Sequence, residues 1–167
     1  MKNDKVKFSL TQEALEVFKA TKQDPKNYTT AYQGESAGLD LYNMGAQATI
    51  YGRTKWVAFG EKSVMISTGI KLALPPGKVG LIKERSSIAK TGLFVRGGVI
   101  DPGFTGELKI NLVNLGEQDV VFQRGNKLPV QLIVLSSHQY FQVVSDLEYL
   151  ELTTDSQRQE ASLGSSN

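Results

Sequence analysis

From Leu39 onward the chain is a run of short apolar stretches cut by Gly and Pro turns, and that punctuation forces an all-β reading. Residues 48–51, 55–59, 63–66 and 69–74 read as strands, and Pro75-Pro76-Gly77-Lys78 turns the chain into another at 79–83. Residues 106–114 form a longer one, with Leu108, Ile110 and Leu112 alternating against Glu107, Lys109 and Asn111. Strands at 120–123, 130–135 and 141–144 complete the set. So many short strands at turn-punctuated spacing predict a sandwich or barrel. Neither an internal repeat nor a second domain is visible.

Ahead of these, 6–10 reads as a strand. Leu10, Ala14, Leu15 and Phe18 then recur at helical spacing, with Ser9 and Gln12 as a capping box. Asp24-Pro25 ends this helix, the one convincing helix in the sequence. The 167 residues suffice for one domain with its own core. A formal charge of +2 gives no nucleic-acid footprint, and no apolar run reaches membrane-spanning length. With no cysteine there is no disulfide or thiolate chemistry, and with His138 alone no His-based metal site is expected. Trp56, in the strand at 55–59, reads as core or interface packing. No signal-peptide apolar segment follows Met1. The expectation is a cytoplasmic or nuclear protein, not secreted, with no nucleic-acid or membrane partner.

The clearest chemistry lies in Gly97-Gly98-Val99-Ile100-Asp101-Pro102-Gly103-Phe104-Thr105-Gly106-Glu107-Leu108. An apolar strand runs into a lone carboxylate pinned by a Pro-Gly turn, with an aromatic three residues on. Apolar residues behind a turn acid reduce its contact with water, which makes Asp101 a candidate general base. Alone, Asp-Pro-Gly is also an ordinary turn.

Four other segments accompany it. They are Ala37-Gly38-Leu39-Asp40-Leu41, Arg85-Ser86-Ser87-Ile88-Ala89, Gly125-Asn126-Lys127 with Gln131-Leu132-Ile133, and the tail from Arg158 to Asn167. In this order and spacing the set resembles the five motifs of the homotrimeric dUTP diphosphatases (dUTPases), over roughly residues 37–167. The resemblance implies a jelly-roll-like β-barrel or sandwich at 1–152, with a strand and helix extension at 1–30. A flexible C-terminal arm at 153–167 would close over the active site, although by composition alone it reads as a disordered terminus.

The same resemblance implies Mg²⁺-dependent hydrolysis of dUTP to dUMP and pyrophosphate by a homotrimer with its sites at subunit interfaces. Asp101 would activate the water that attacks the α-phosphorus. Asp40 would organise the water and metal surroundings of the phosphates, its alternative being a turn or salt-bridge aspartate. Arg85, Ser86 and Ser87 would contact the phosphates, and Arg85 has donors enough for a structural ion pair as well. Gln131 matches a phosphate-side glutamine. The metal would ride on triphosphate oxygens and waters rather than in a protein cage. Gly98 and the main chain of Lys109 would read the uracil edge, and Phe104 would lie under the deoxyribose and exclude a 2′-hydroxyl. The alternative for Phe104 is a core aromatic. From the arm, Arg158, Leu163, Gly164 and Ser165 would cover the substrate.

The chain departs from the family pattern at several points. Phe104 stands where tyrosine is commoner. Glu84 precedes Arg85, and a carboxylate there costs phosphate affinity unless it points away or pairs with Lys83. The fourth motif, usually Gly-Asp-Arg-Ile-Ala-Gln, runs one residue longer from Gly125 to Gln131, and Pro129 within it predicts a bulge or an edge position. In the fifth, Leu163 replaces the aromatic over the uracil and three glycines are missing, which predicts a weaker lid and a raised KM. The stretch 43–62 is longer than the family usually has there.

Two other readings compete. A dCTP deaminase shares the Asp-Pro-Gly-aromatic element, but its proton-shuttling glutamate is here Asn111, which is no general base. A binding or signalling module of the same fold, with weak or no catalysis, would account for the altered fourth and fifth motifs.

Overall fold

The computed structural model describes residues 6–22, 28, 35–53, 63–88, 91–137 and 142–153. Trp56 with the strand at 55–59, the Asp24-Pro25 break, His138 and the arm residues Arg158, Leu163, Gly164 and Ser165 lie outside the described residues. In chain order the elements are β1 (Lys7–Leu10), α1 (Gln12–Thr21), β2 (Gly38–Tyr42), β3 (Ala48–Ile50), β4 (Ser63–Ala73) and β5 (Lys78–Glu84). A 3-10 turn (Ser86–Ile88) follows, then β6 (Leu93–Arg96), β7 (Val99–Ile100), β8 (Glu107–Asn114), β9 (Val120–Phe122), β10 (Lys127–Ser136) and α2 (Asp146–Thr153).

Two antiparallel four-stranded sheets, ordered β1-β4-β8-β6 and β2-β10-β5-β7, enclose the core, and β3 pairs with β9 beside them. Alternation builds this core. Leu108, Ile110 and Leu112 of β8 and Ile66, Ile70 and Leu72 of β4 are buried with Leu41, Ile82, Leu128, Val130 and Leu132 of the other sheet. Each such side chain contributes roughly 1.5–3 kcal/mol through burial. The expected all-β sandwich is the observed architecture.

The N-terminal segment joins this core rather than standing apart. The stretches expected at 63–66 and 69–74 are one strand, β4, with a register shift against β8 between Ser67 and Lys71. Gly69 sits in that irregularity with φ 71°, and a Cβ there would run into the side chain of Ala14. Only glycine satisfies both the left-handed backbone and the close approach of α1. Thr11, whose N donates to Gly69 O at 2.8 Å, caps the helix by accepting from Ala14 N at 3.3 Å. The Ser9–Gln12 pair is therefore not the cap, because Ser9 still belongs to β1, where it pairs with Lys71.

The C-terminal region also differs from expectation. Residues 142–145 are irregular, and α2 follows where no second helix was expected. Ser145 Oγ accepts from Glu148 N at 3.2 Å, so Ser145-Asp146-Leu147-Glu148 was a legible capping sequence. Leu147, Tyr149 and Leu150 of α2 are exposed and form no buried stripe, which is why helical periodicity did not reveal it. Among the described residues no helix is long and apolar enough to cross a membrane.

Candidate functional site

The β2–β10–β5 ribbon gathers the first group of candidate residues. Asp40 of β2 lies opposite Gln131 of β10, which lies opposite Lys83 of β5. The register of β10 against β2 shifts between Lys127 and Gln131, and Pro129 stands in that bulge as expected. Pro129 O accepts from Arg85 N at 2.9 Å, so the bulge anchors the point where β5 gives way to the 3-10 turn. Gln131 lies across Gly38, where any Cβ would overlap the glutamine side chain.

Asp40 is 4% exposed and holds two cations. Its Oδ1 is 2.9 Å from Arg85 Nε, and its Oδ2 accepts from Lys127 Nζ, also at 2.9 Å. A carboxylate buried this deeply needs such pairing, because desolvation of a lone charge is costly. Holding Arg85 by Nε leaves the outer guanidinium nitrogens for a ligand. The hydrogen bond to Asp40 is the main reason the Lys127 ammonium titrates above its ordinary 10.5, with desolvation opposing it. The same ammonium stands 5.6 Å from the centre of the Tyr42 ring. Ser86 and Ser87 are exposed next to Arg85, on a turn pinned by buried Ile88 and by Ile88 N donating to Arg85 O at 3.1 Å.

Glu84 does not intrude on this group. Its Oε1 accepts from Val95 N at 2.9 Å and its Oε2 is 3.5 Å from Lys83 Nζ. The Val95 amide, more than Lys83, holds this carboxyl below its ordinary range. Both escapes foreseen for it, pointing away and pairing with Lys83, are present.

The second group lies elsewhere. Gly98 O accepts from Ile82 N at 2.7 Å, and β7 then pairs with β5 through Gly80↔Ile100 and Leu81↔Val99. Asp101 leaves the sheet in a turn closed by Phe104 N donating to Asp101 O at 3.2 Å. The expected shielding of Asp101 from water is not found within one chain. Residues 101–106 are all exposed and Val99 is 61% exposed, so only Ile100 turns inward behind the acid. No described residue pairs with the Asp101 carboxylate. Phe104 is exposed, its ring lying over Gly106, so it is not a core aromatic. Lys109 lines an open cleft of about 360 Å³ with Met65, Arg96, Gly97 and Asn111. The Asn111 Oδ1 accepts from Ser63 Oγ across β4 and β8.

The two groups do not meet. Extending the β5–β7 register puts Asp101 beside Val79, at the far end of β5 from Arg85. At about 3.3 Å per residue that is a span of roughly 20 Å. Asp40, Arg85, Ser86, Ser87 and Gln131 form one cluster; Asp101 and Phe104 share the turn at the far end of β7, Gly98 lies beside Ile82 between the two, and Lys109 lines the cleft next to Gly97. Sequence reasoning missed Lys127 and Tyr42 as members of the first. The signal for Tyr42 was its place two residues after Asp40, on the same face of a strand. Among the described residues no group of three or more His, Cys, Asp or Glu could hold a metal.

Comparison with known proteins adds an independent line. The family model described as dUTPase matches residues 24–167. A deoxyuridine 5′-triphosphate nucleotidohydrolase of Gloeobacter violaceus is 34% identical over 143 residues, 83% of this chain and 86% of that protein. The Pol polyprotein of equine infectious anemia virus (strain Wyoming) is 39% identical over 74 residues; the match spans 44% of this chain and 6% of the polyprotein. The native EIAV dUTPase structure superposes with a TM-score of 0.62 at 26% identity, covering 85% of this chain and 97% of that one.

Proposed function

The chain belongs to the dUTPase family, and we propose that it hydrolyses dUTP to dUMP and pyrophosphate at sites built between copies of itself. The observation that carries this reading is the complementary division of the candidate residues. A cationic cluster suited to phosphates lies roughly 20 Å from an exposed acid and aromatic suited to water activation and sugar contact. Chemistry that needs both groups together requires a second chain to supply one of them, as in a homotrimer with interfacial sites.

In such a site Arg85 presents its outer guanidinium nitrogens to the phosphate chain, and the Ser86 and Ser87 hydroxyls add neutral donors. Gln131 stands on the phosphate side of the same ribbon. Asp40 holds Arg85 in place. Asp101, enclosed by the neighbouring chain, accepts the proton of the water that attacks the α-phosphorus, and pyrophosphate leaves. Phe104 offers its exposed ring to the deoxyribose, where a 2′-hydroxyl would collide. Gly98 and the main chain of Lys109 read the uracil edge. Arg158, Leu163, Gly164 and Ser165 belong to an arm at 153–167 that closes over the nucleotide.

The donor set fits Mg²⁺ carried on triphosphate oxygens and waters, because both oxygens of Asp40 are already engaged by cations. So bound, the ion supplies neutralisation of the phosphate charge. A cysteine-free chain also suits a reducing compartment, cytoplasmic or nuclear. The test is pyrophosphate release from dUTP with Mg²⁺, beside dCTP, dTTP and UTP, for the wild type and Asp101→Asn. Release from dUTP alone, lost in the variant, supports the reading. Release from no nucleotide favours a binding module, and ammonia from dCTP would restore the deaminase alternative.

A further inference from the structure

Lys127 has no part in the phosphate contacts assigned above, yet it takes one of the two oxygens of the most deeply buried acid of the cluster. Arg85 reaches that acid from Nε to Oδ1, while Oδ2 belongs to Lys127. A guanidinium facing an unshared carboxylate prefers a two-pronged grip, using a second nitrogen on the second oxygen. We propose that Lys127 is a positioning residue: by occupying Asp40 Oδ2 it keeps Arg85 from closing on Asp40 with two prongs, and so holds the outer guanidinium nitrogens outward for the phosphates of the nucleotide. This rests on the dUTPase reading of the site.

Lys127 is itself held from below. Its ammonium lies over the Tyr42 ring, and Tyr42 packs edge-on against Tyr28 with ring centres 5.1 Å apart. The Tyr28 hydroxyl accepts from Tyr42 N at 3.1 Å and lies 3.2 Å from Thr68 O, to which it donates. Phe18 of α1 lies 6.0 Å from Tyr28, Arg124 Nη2 donates to Glu13 O at 3.3 Å, and Gly125 stands against Val17. The β1–α1 segment precedes the family match at residue 24, and it underpins the loop from which Lys127 springs. The titratable groups facing Lys127 are thus the Asp40 carboxylate and the Tyr42 phenol from β2 and the Arg85 guanidinium beyond β5.

The test is calorimetric binding of a non-hydrolysable α,β-imido dUTP, compared with dUMP, to wild type, Lys127→Met, Lys127→Arg and the double variant Asp40→Asn/Lys127→Met. Thermal melts check that each is folded. Lys127→Met should bind the triphosphate analogue on the order of tenfold more weakly, with a smaller loss for dUMP. Lys127→Arg should stay within about threefold of wild type. The double variant should recover most of the loss, because an amide at position 40 still accepts from Arg85 Nε through its oxygen but has no second acceptor to draw the guanidinium inward. A merely structural lysine gives losses independent of phosphate number. A lysine that contacts phosphate directly gives no recovery in the double variant. Either result overturns the inference, as does wild-type binding by Lys127→Met. If Lys127→Met does not melt cooperatively, Lys127→Gln carries the same comparison. Wild-type protein that releases no pyrophosphate from dUTP overturns the dUTPase reading itself, whereas active wild type with an indifferent Lys127→Met overturns only this inference.

Discussion

The Asp40 cluster and the Asp101 turn present opposite electrostatic situations within one chain. Asp40 is buried, and each oxygen is matched by a cation at 2.9 Å. Asp101 is exposed, on a turn with no wall around it among the described residues. The first region is finished by the folding of a single chain. The second has its shape but not its enclosure, and a general base needs enclosure to gain from a neighbouring apolar surface. On the proposed reading, the difference teaches that the phosphate half of the site is complete in one folded chain, while the Asp101 half waits for a second chain to enclose it.

That contrast is most sharply broken by neutralising each acid in turn. Asp101→Asn should reduce dUTP turnover by about 10²–10⁴-fold, as loss of a general base does, and leave the urea midpoint unchanged. Asp40→Asn should destabilise the protein by roughly 1–3 kcal/mol, because Arg85 and Lys127 lose their shared counter-charge in a partly buried place. If urea titration shows Asp101→Asn to be the more destabilising of the two, the contrast is wrong.

Phe104→Ala sharpens the same comparison from the side of specificity. Discrimination of dUTP over UTP, measured as the ratio of kcat/KM values, should fall roughly tenfold. Stability should change by less than about 0.5 kcal/mol, since the ring is exposed in the chain.

The smallest effects come from pH. Lys127 titrates above its ordinary 10.5 because Asp40 favours its protonated form. Its contribution is complete below that pH and is lost as pH rises through the higher folded value. Glu84 titrates below its ordinary 4.5, chiefly through the Val95 amide. Its contribution is complete above that pH and is lost as pH falls through the lower folded value. Both groups are partly solvated, so each limb should amount to well under about 1 kcal/mol in urea midpoints measured across pH. Falling stability between about pH 6 and 9 would not fit these two shifts.

Much of this fold was legible because period-two alternation survives at single-residue level in β8, where Leu108, Ile110 and Leu112 are buried as read. Pro129 likewise announced its bulge, since a residue without an N–H cannot continue a ladder. What escaped depended on partners distant in sequence. The gap at 67–68 looked like a break between two strands, because nothing local shows that β4 runs through an irregularity there with Ala14 pressed on Gly69. Thr11 displaced Ser9 as the helix cap because β1 continues through Ser9 to pair with β4. For the candidate site, the five motifs placed Arg85 and Asp40, but the division of labour on Asp40 appears only when Lys127 arrives from the neighbouring strand. The exposure of Asp101 was illegible because apolar neighbours in sequence say nothing about whether a turn faces the core.

The most direct measurement is complementation between two inactive variants, Asp101→Asn and Arg85→Ala. Each alone should release almost no pyrophosphate from dUTP. Unfolded together and refolded as an equal mixture, they should regain about a quarter of wild-type activity, because one in four interfaces then joins an intact Asp101 turn to an intact Arg85 cluster. A mixture that stays as inactive as its parents, while refolded wild type recovers fully, would contradict a site shared between chains.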